Sequence, residues 1–164
     1  MPSKQALERA RRDRREGKSP STQAGEFVRA EIDKIRHGEH GARSTKQAIA
    51  IGLSEARRAG VPLKPPGRKK AKAKTRKSAK YAYEAGQHRR KTTRRPRVSR
   101  AVKNVLKREP RSTVSRSALS RQAKSAAHRR SAAQRSAAAR KAARTKGGAR
   151  RKAARTRTRA RKRG

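Results

Sequence analysis

Near the end of the chain, neighbouring cations recur at a fixed spacing: Arg129-Arg130, Arg140-Lys141 and Arg151-Lys152 stand 11 residues apart, in the aligned segments 126–136, 137–147 and 148–158, which also hold Arg144 and Arg155. Long cationic side chains repeated along a helix suit one chemistry, the neutralisation of phosphates on a polyanion. Eleven residues in three turns is close to the helical period, so in a continuous helix the pairs fall nearly on one line, each repeat advancing about 16 Å. Plain low complexity is the competing reading, since Ala/Arg/Ser-rich sequence makes short repeats without any register. The charge is the same under both.

A second set of candidate phosphate ligands, Arg68, Lys69, Lys70, Lys72, Lys74, Arg76 and Lys77, lies in the nearly pure basic run 68–80. Arg43 and Lys46 flank the start of a predicted helix over Thr45–Arg58, whose free amides would suit one phosphate. A capped start with solvated charges is the bland alternative there. That helix is also the one candidate for reading base edges. Its side chains are mostly small or apolar, so little sequence preference is expected. Phe27, Tyr81 and Tyr83 are the whole aromatic set, too few for a single-strand stacking platform, and duplex is therefore favoured over single strands. Other chemistries find no residues at the required spacing. His37 and His40, with Glu39 between them, lack the further ligands and rigid support a metal needs. No nucleophile elbow, P-loop or metalloprotease pattern occurs, so no enzyme, cofactor, metal or small-molecule substrate is expected.

The elements that must position these cations have little apolar material to work with. Leu, Ile, Val and Phe number 16 among 164 residues, the net charge is +43, and cysteine is absent. So little bulk cannot support one large core. The first 60 residues hold 14 Lys and Arg against 8 acids, whereas residues 61–164 hold 39 against 2. A nearly balanced head therefore precedes a cationic tail that repels itself until a polyanion neutralises it. The fold class read from this pattern is mostly α with extensive disorder and no sheet: a small N-terminal helical hairpin, a second short helical region and a basic low-complexity tail.

Residues 1–20 read as a marginal, exposed basic helix and linker. Residues 21–60 form the hairpin head. Its first helix is capped at Ser21 or Thr22 and buries Ala24, Val28, Ile32 and Ile35 beside Phe27. Its second helix opens with a capping box, Ser44-Thr45-Lys46-Gln47, and lines up Ile49, Leu53 and Ala56 before Gly60 and Pro62 stop it. About forty residues is near the lower limit for independent folding, so a homodimer through the head, or help from residues downstream, is expected. Residues 61–96 read as a Pro/Lys/Arg-rich disordered linker. Residues 97–145 read as basic Ala/Arg-rich helices, one of them over Arg97–Arg108 and another from near Ser112 or Ser115 to Thr145. Residues 146–164 read as a disordered basic tail, with a hinge at Gly147-Gly148. No apolar run approaches a membrane span, the start lacks the apolar core of a secretory signal, and the expected location is the cytoplasm, at the nucleoid.

The run Gly41-Ala-Arg-Ser-Thr-Lys-Gln-Ala-Ile-Ala-Ile-Gly-Leu-Ser-Glu-Ala-Arg-Arg-Ala-Gly60, preceded by Gly25-Glu-Phe-Val-Arg29 and followed by Tyr81-Ala-Tyr-Glu84, resembles a small bacterial family of uncharacterised basic proteins, some labelled DNA-binding. That resemblance implies a bacterial source and a nucleoid-type role, and no chemistry. The tail resembles the Lys/Ala/Arg-rich arms of linker histones in composition. The expected function is non-enzymatic, largely sequence-nonspecific binding of duplex DNA through its backbone. The alternatives are an RNA- or ribosome-associated protein, and a protein-interaction adaptor of plasmid-maintenance or antitoxin-like kind with a localising tail. A membrane-surface role is disfavoured because the tail has too few bulky apolar residues to insert.

Overall fold

The computed structural model describes residues 3–89 and 95–144. In chain order these form α1 (Lys4–Arg15), α2 (Pro20–Arg36), α3 (Thr45–Arg58), a 3-10 turn (Arg68–Lys70), α4 (Ala73–Gly86), α5 (Pro96–Arg108), a second 3-10 turn (Ser112–Val114) and α6 (Arg116–His128). Residues 132–144 make a further helix, α7, and no strand occurs among the described residues. The chain divides into two compact units, residues 1–120 and 121–164. No helix among the described residues is long and apolar enough to cross a membrane.

The head is larger than a hairpin. α1, expected to be exposed, packs on α2 and buries Ala6 and Ala10 in a cluster with Ala24, Phe27, Ala56 and Val61, against which Leu7, Ala30, Leu53, Ala59 and Leu63 also lie. Two alanines suffice because their small side chains let the helices approach closely, so each methyl meets many neighbours. In the last turn of α1 Asp13 is buried, and Lys18 Nζ, from beyond the helix end, donates to it at 2.7 Å. Those two carboxylates, Asp13 first and then Glu16, hold Lys18 above its ordinary amine value.

α2 starts earlier than its hydroxyl residues predict. Ser19 is the N-cap and Pro20 takes the first helical position, where its fixed φ suits the helix and its missing N–H costs nothing. The buried positions are Gln23, Ala24, Phe27, Glu31 and Ile35, while Val28 and Ile32 are half-buried, so the face is turned from the expected one. Being packed on both α1 and α3, this helix has to bury a broad arc.

In α3 the contact stripe is Ala48, Gly52 and Ala56; Ile49 and Leu53 are half-buried. A β-carbon at Gly52 would stand 2.7 Å from the Val28 Cα, so the α2–α3 crossing requires glycine there. Ser44 Oγ accepts from the Gln47 N–H at 3.2 Å, but Gln47 Oε1 accepts from the Arg43 N–H at 2.8 Å, one residue before the cap. Only half of the expected reciprocal box therefore forms as written.

The span read as a disordered linker contains α4, which packs on α3. Its buried stripe is Ala79, Ala82 and Gly86, and a β-carbon at Gly86 would overlap the Arg57 carbonyl at 1.8 Å. The connector before it is anchored as well: Val61 is buried, and Arg57 Nε donates to the Leu63 carbonyl at 3.1 Å. A lysine-rich composition hid this helix, since its seat on α3 needs only alanine and glycine.

Beyond α5 the chain returns to the hairpin turn. Val114 is fully buried with Ile35, Ala42 and Ala48 in a second small cluster. Around it the Gly41 N–H donates to the Leu106 carbonyl at 2.8 Å, and the Ala42 N–H to the Pro110 carbonyl at 3.2 Å. Thr45 Oγ1 donates to the Thr113 carbonyl at 2.6 Å, and Thr113 Oγ1 to the Ala42 carbonyl at 3.0 Å. Arg36 donates from Nε and Nη2 to the Val114 carbonyl at 3.3 and 3.2 Å. This clasp closes a loop of about seventy residues on the turn, and it supplies what the hairpin lacks.

Under the turn lies a buried charge. Glu31 Oε2 is 3.6 Å from Lys34 Nζ and Oε1 faces His40 Nε2 at 3.4 Å without a hydrogen bond, while Lys34 also reaches Glu55 at 3.4 Å. Burial pushes the Glu31 carboxyl above its ordinary value of 4.5, outweighing the pull of His40 and Lys34. A carboxyl with a raised folded value contributes stability that is complete below the unfolded value and is lost as pH rises through the folded one. Glu31→Gln should therefore gain in Tm relative to the parent chain as pH increases from about 4.5 to neutrality. Thermal melts of both proteins across that range check it, and a difference that shrinks with pH would contradict the assignment.

The rest of the tail follows a simpler pattern. α6 ends at His128, Ser131 Oγ accepts from the Gln134 N–H at 3.2 Å as the cap of α7, and no residue from Ala123 to Arg144 is buried. One helix from Ser112 or Ser115 to Thr145 is thus interrupted at residues 129–131. The expected hinge at Gly147-Gly148 and the tail 146–164 lie outside the described residues.

Candidate nucleic-acid interface

The carboxylates of the described residues are largely engaged within the fold. Asp13 and Glu16 pair with Lys18, Glu26 with Arg9, Glu31 and Glu55 with Lys34, Glu84 with Lys80, and Glu109 with Arg43. Against 53 Lys and Arg, these pairs engage Arg9, Lys18, Lys34, Arg43 and Lys80. Most of the other described cations are exposed, Arg57, which is buried, and Arg76, which is half-buried, being exceptions.

In the head one group of these cations lies on α4 and the turn before it. Because Ala79, Ala82 and Gly86 face α3, helical geometry puts Lys74, Lys77 and Lys80 on the opposite side with Tyr81, and all four are exposed. Tyr81 is 39 % exposed, and Tyr83 is half-buried. Arg68 and Lys70 are exposed in the 3-10 turn that also contains Lys69, and Lys72 is exposed at the N-cap. Arg76 is half-buried, its Nε shielded from solvent without a hydrogen bond. The first turn of α4 holds no acid, and no side chain caps it. Cations at a helix N-terminus oppose the macrodipole by about 0.3–1 kcal/mol each, a cost that a bound anion would offset.

A substitution separates binding from stability at this end. Lys72→Ser supplies a hydroxyl cap in place of a charge and should stabilise the head by roughly 0.5–1 kcal/mol. If this end holds a phosphate polymer, affinity for that polymer should nevertheless fall, with the salt slope reduced by about 0.9. Melting curves and anisotropy titrations measure the two effects. Equal or higher affinity in the variant would remove Lys72 from the interface.

The start of α3 is arranged differently from the expected phosphate cradle. Arg43 Nε lies 3.5 Å from Glu109 Oε1, and the Thr45 hydroxyl is bonded to the clasp, although Lys46 remains exposed. Here the chain's own carboxylate occupies the cation's vicinity. Glu109, missed as a participant, carries a signal in sequence only as one of two acids after residue 60.

In the second unit Arg129 and Arg130 lie at the break between α6 and α7, while Arg140, Lys141 and Arg144 lie on α7, all exposed. The first pair of the 11-residue series is thus off the helix that holds the second, so the three pairs do not form one continuous helical line. Arg151, Lys152 and Arg155 lie outside the described residues.

Residues 3–70 match a family of unknown function, DUF6496. The matched segment takes in α1, α2, α3 and the first 3-10 turn and stops before α4. No curated protein and no solved structure matches the chain.

Proposed function

We propose that this protein is a non-enzymatic, histone-like binder of duplex DNA, holding the phosphate backbone with little sequence preference and acting at the bacterial nucleoid. The observation that carries this reading is the charge imbalance: 53 Lys and Arg against 10 acids, most of the latter engaged inside the head. Cations of this density are self-repelling in water, and a phosphate polymer relieves the repulsion by releasing its condensed counterions. The exposed side of α4 supports a contact made by the folded head, and α6 and α7 support contacts from the tail.

Salt dependence tests the mechanism. With about 6–10 phosphates engaged, affinity for duplexes of unrelated sequence should fall about 10³–10⁵-fold between 50 and 200 mM salt. Fluorescence anisotropy of labelled duplexes, with structured RNA as competitor, makes the measurement. Binding insensitive to salt would end the proposal, and preferential displacement by RNA would move it to the other polyanion.

A further inference from the structure

A buried carboxylate is a poor neighbour for the lone pair of a neutral imidazole unless a proton lies between them. Glu31, 1 % exposed in α2, and His40, in the turn after that helix, stand in this relation. The Gly41 carbonyl can only accept, so its 3.0 Å contact with His40 Nδ1 puts a ring proton on Nδ1. Nε2 of the neutral ring is then a bare acceptor. It faces Glu31 Oε1 at 3.4 Å, and Oε1 has no hydrogen-bond partner. With a proton on either group the contact is attractive. With none, two acceptors are held together away from water.

The surrounding charges do not relieve that state. On α2, Lys34 lies 3.6 Å from the other oxygen, Glu31 Oε2, and is shared at 3.4 Å with Glu55 of α3, whose own charge opposes ionisation of Glu31. Arg9 of α1 lines a cleft with Lys34, His37 and Glu39, but it pairs with Glu26 at 3.8 Å. From the clasp, Glu109 pairs with Arg43 at 3.5 Å, and Arg111 lies against Gly38. None of these groups gives Oε1 a hydrogen. Burial already pushes the Glu31 carboxyl above its ordinary value, in the direction that keeps a proton on the pair.

We propose that Glu31 and His40 form a proton-dependent latch on the clasp, which holds residues 106–114 against the turn while the pair keeps a proton and releases them when the last one leaves. The mechanical link is one residue long. Gly41, next to His40, takes the Nδ1 proton on its carbonyl and donates its N–H to the Leu106 carbonyl at 2.8 Å, and the Ala42 N–H donates to Pro110 at 3.2 Å. A ring that swings away from Glu31 therefore pulls on the peptide that carries these bonds. α5 adds little grip of its own, since none of its residues is buried and Val98, Val102 and Val105 are exposed. The closed form binds the proton more tightly than the open one, so the clasp is firmest at low pH and opens as pH rises, and the titration belongs to the pair as a unit. An ion pair such as Glu109 with Arg43 responds in the opposite sense, being lost when its acid is protonated. Neither the latch nor its test involves a polyanion.

Amide exchange in the full-length protein, followed residue by residue by NMR from about pH 5 to 8, makes the test. After division by the intrinsic exchange rate, protection of the Gly41 and Ala42 amides should fall by up to about tenfold per pH unit through the transition, the limit for one proton released. Phe27, inside α2, should keep its protection. In Glu31→Gln the side-chain amide can donate to Nε2 at every pH, so the fall should vanish while protection stays high. The parent protein supplies a check that needs no variant: the His40 ring nitrogens and the Glu31 carboxyl carbon should titrate with the midpoint at which the clasp loses protection. Four results overturn the latch: protection flat with pH in the parent, an equal loss at Phe27, a fall that persists in Glu31→Gln, or side-chain titration at a pH where the clasp does not change.

Discussion

A chain ending at Ser120 is expected to lose at least about three orders of magnitude in duplex affinity near 0.1 M salt while keeping the folded head. Residues 121–164 carry 18 Lys and Arg and no acid. If roughly half of these meet phosphates, the slope of log K against log salt should become shallower by about 8. The position of the cut matters. Residue 120 is the boundary between the two units, so both small cores, including Val114, remain with the head. A cut near residue 63 would remove α4 and the clasp, and lost binding could then be lost folding. Anisotropy titrations over a salt series, with circular dichroism to confirm that the head stays helical, make the comparison. An unchanged slope would mean that the extension does not touch the polyanion, and binding would have to be assigned to the head.

The second large effect is on stability. Gly41→Ala should lower it by about 1–3 kcal/mol, because the added β-carbon would overlap the Glu109 carbonyl at 1.8 Å and neither backbone has a flexible end to move. The clasp must open locally, weakening the hydrogen bonds to Leu106 and Pro110 and the seat of Val114. With roughly 4–8 °C per kcal/mol for a domain of this kind, Tm should drop on the order of 10 °C. Gly25→Ala is the matched control. Nothing lies within 4 Å of its would-be β-carbon, and it sits in the interior of α2. That change should stabilise by about 0.5–1 kcal/mol, since alanine restricts the unfolded chain more than glycine. If Gly41→Ala melts with the parent protein, the docking of residues 109–114 contributes little to holding the head together.

How much of this was legible depends on the kind of signal each element sends. α3 was visible to the residue because Ser44 and Gly60 punctuate it locally. α5 was visible because its apolar spacing is strong, whereas its failure to bury that face was not, since periodicity says which side is apolar and nothing about what meets it. α4 was invisible for the opposite reason. Its contact face is alanine and glycine, and lysine dominates its composition. Among the candidate phosphate ligands, Lys74 and Lys77 come together on one exposed side of α4 while Arg76 is half-buried, Arg43 is engaged by a carboxylate sixty-six positions away, and the break at residues 129–131 takes Arg129 and Arg130 off the helix of Arg140 and Lys141.

Sequence alone determined the electrostatic character of the protein, its helical class and the absence of a large core, because charge and apolar content are sums over residues that no arrangement can change. Tertiary structure decided which cations face outward together, which carboxylates are used internally, and that Val114 returns to complete a turn begun at Gly38. Those outcomes depend on close backbone approach at Gly41, Gly52 and Gly86. An approach of that kind is a relation between distant segments, and a glycine in a linear chain does not declare which distant backbone it will meet.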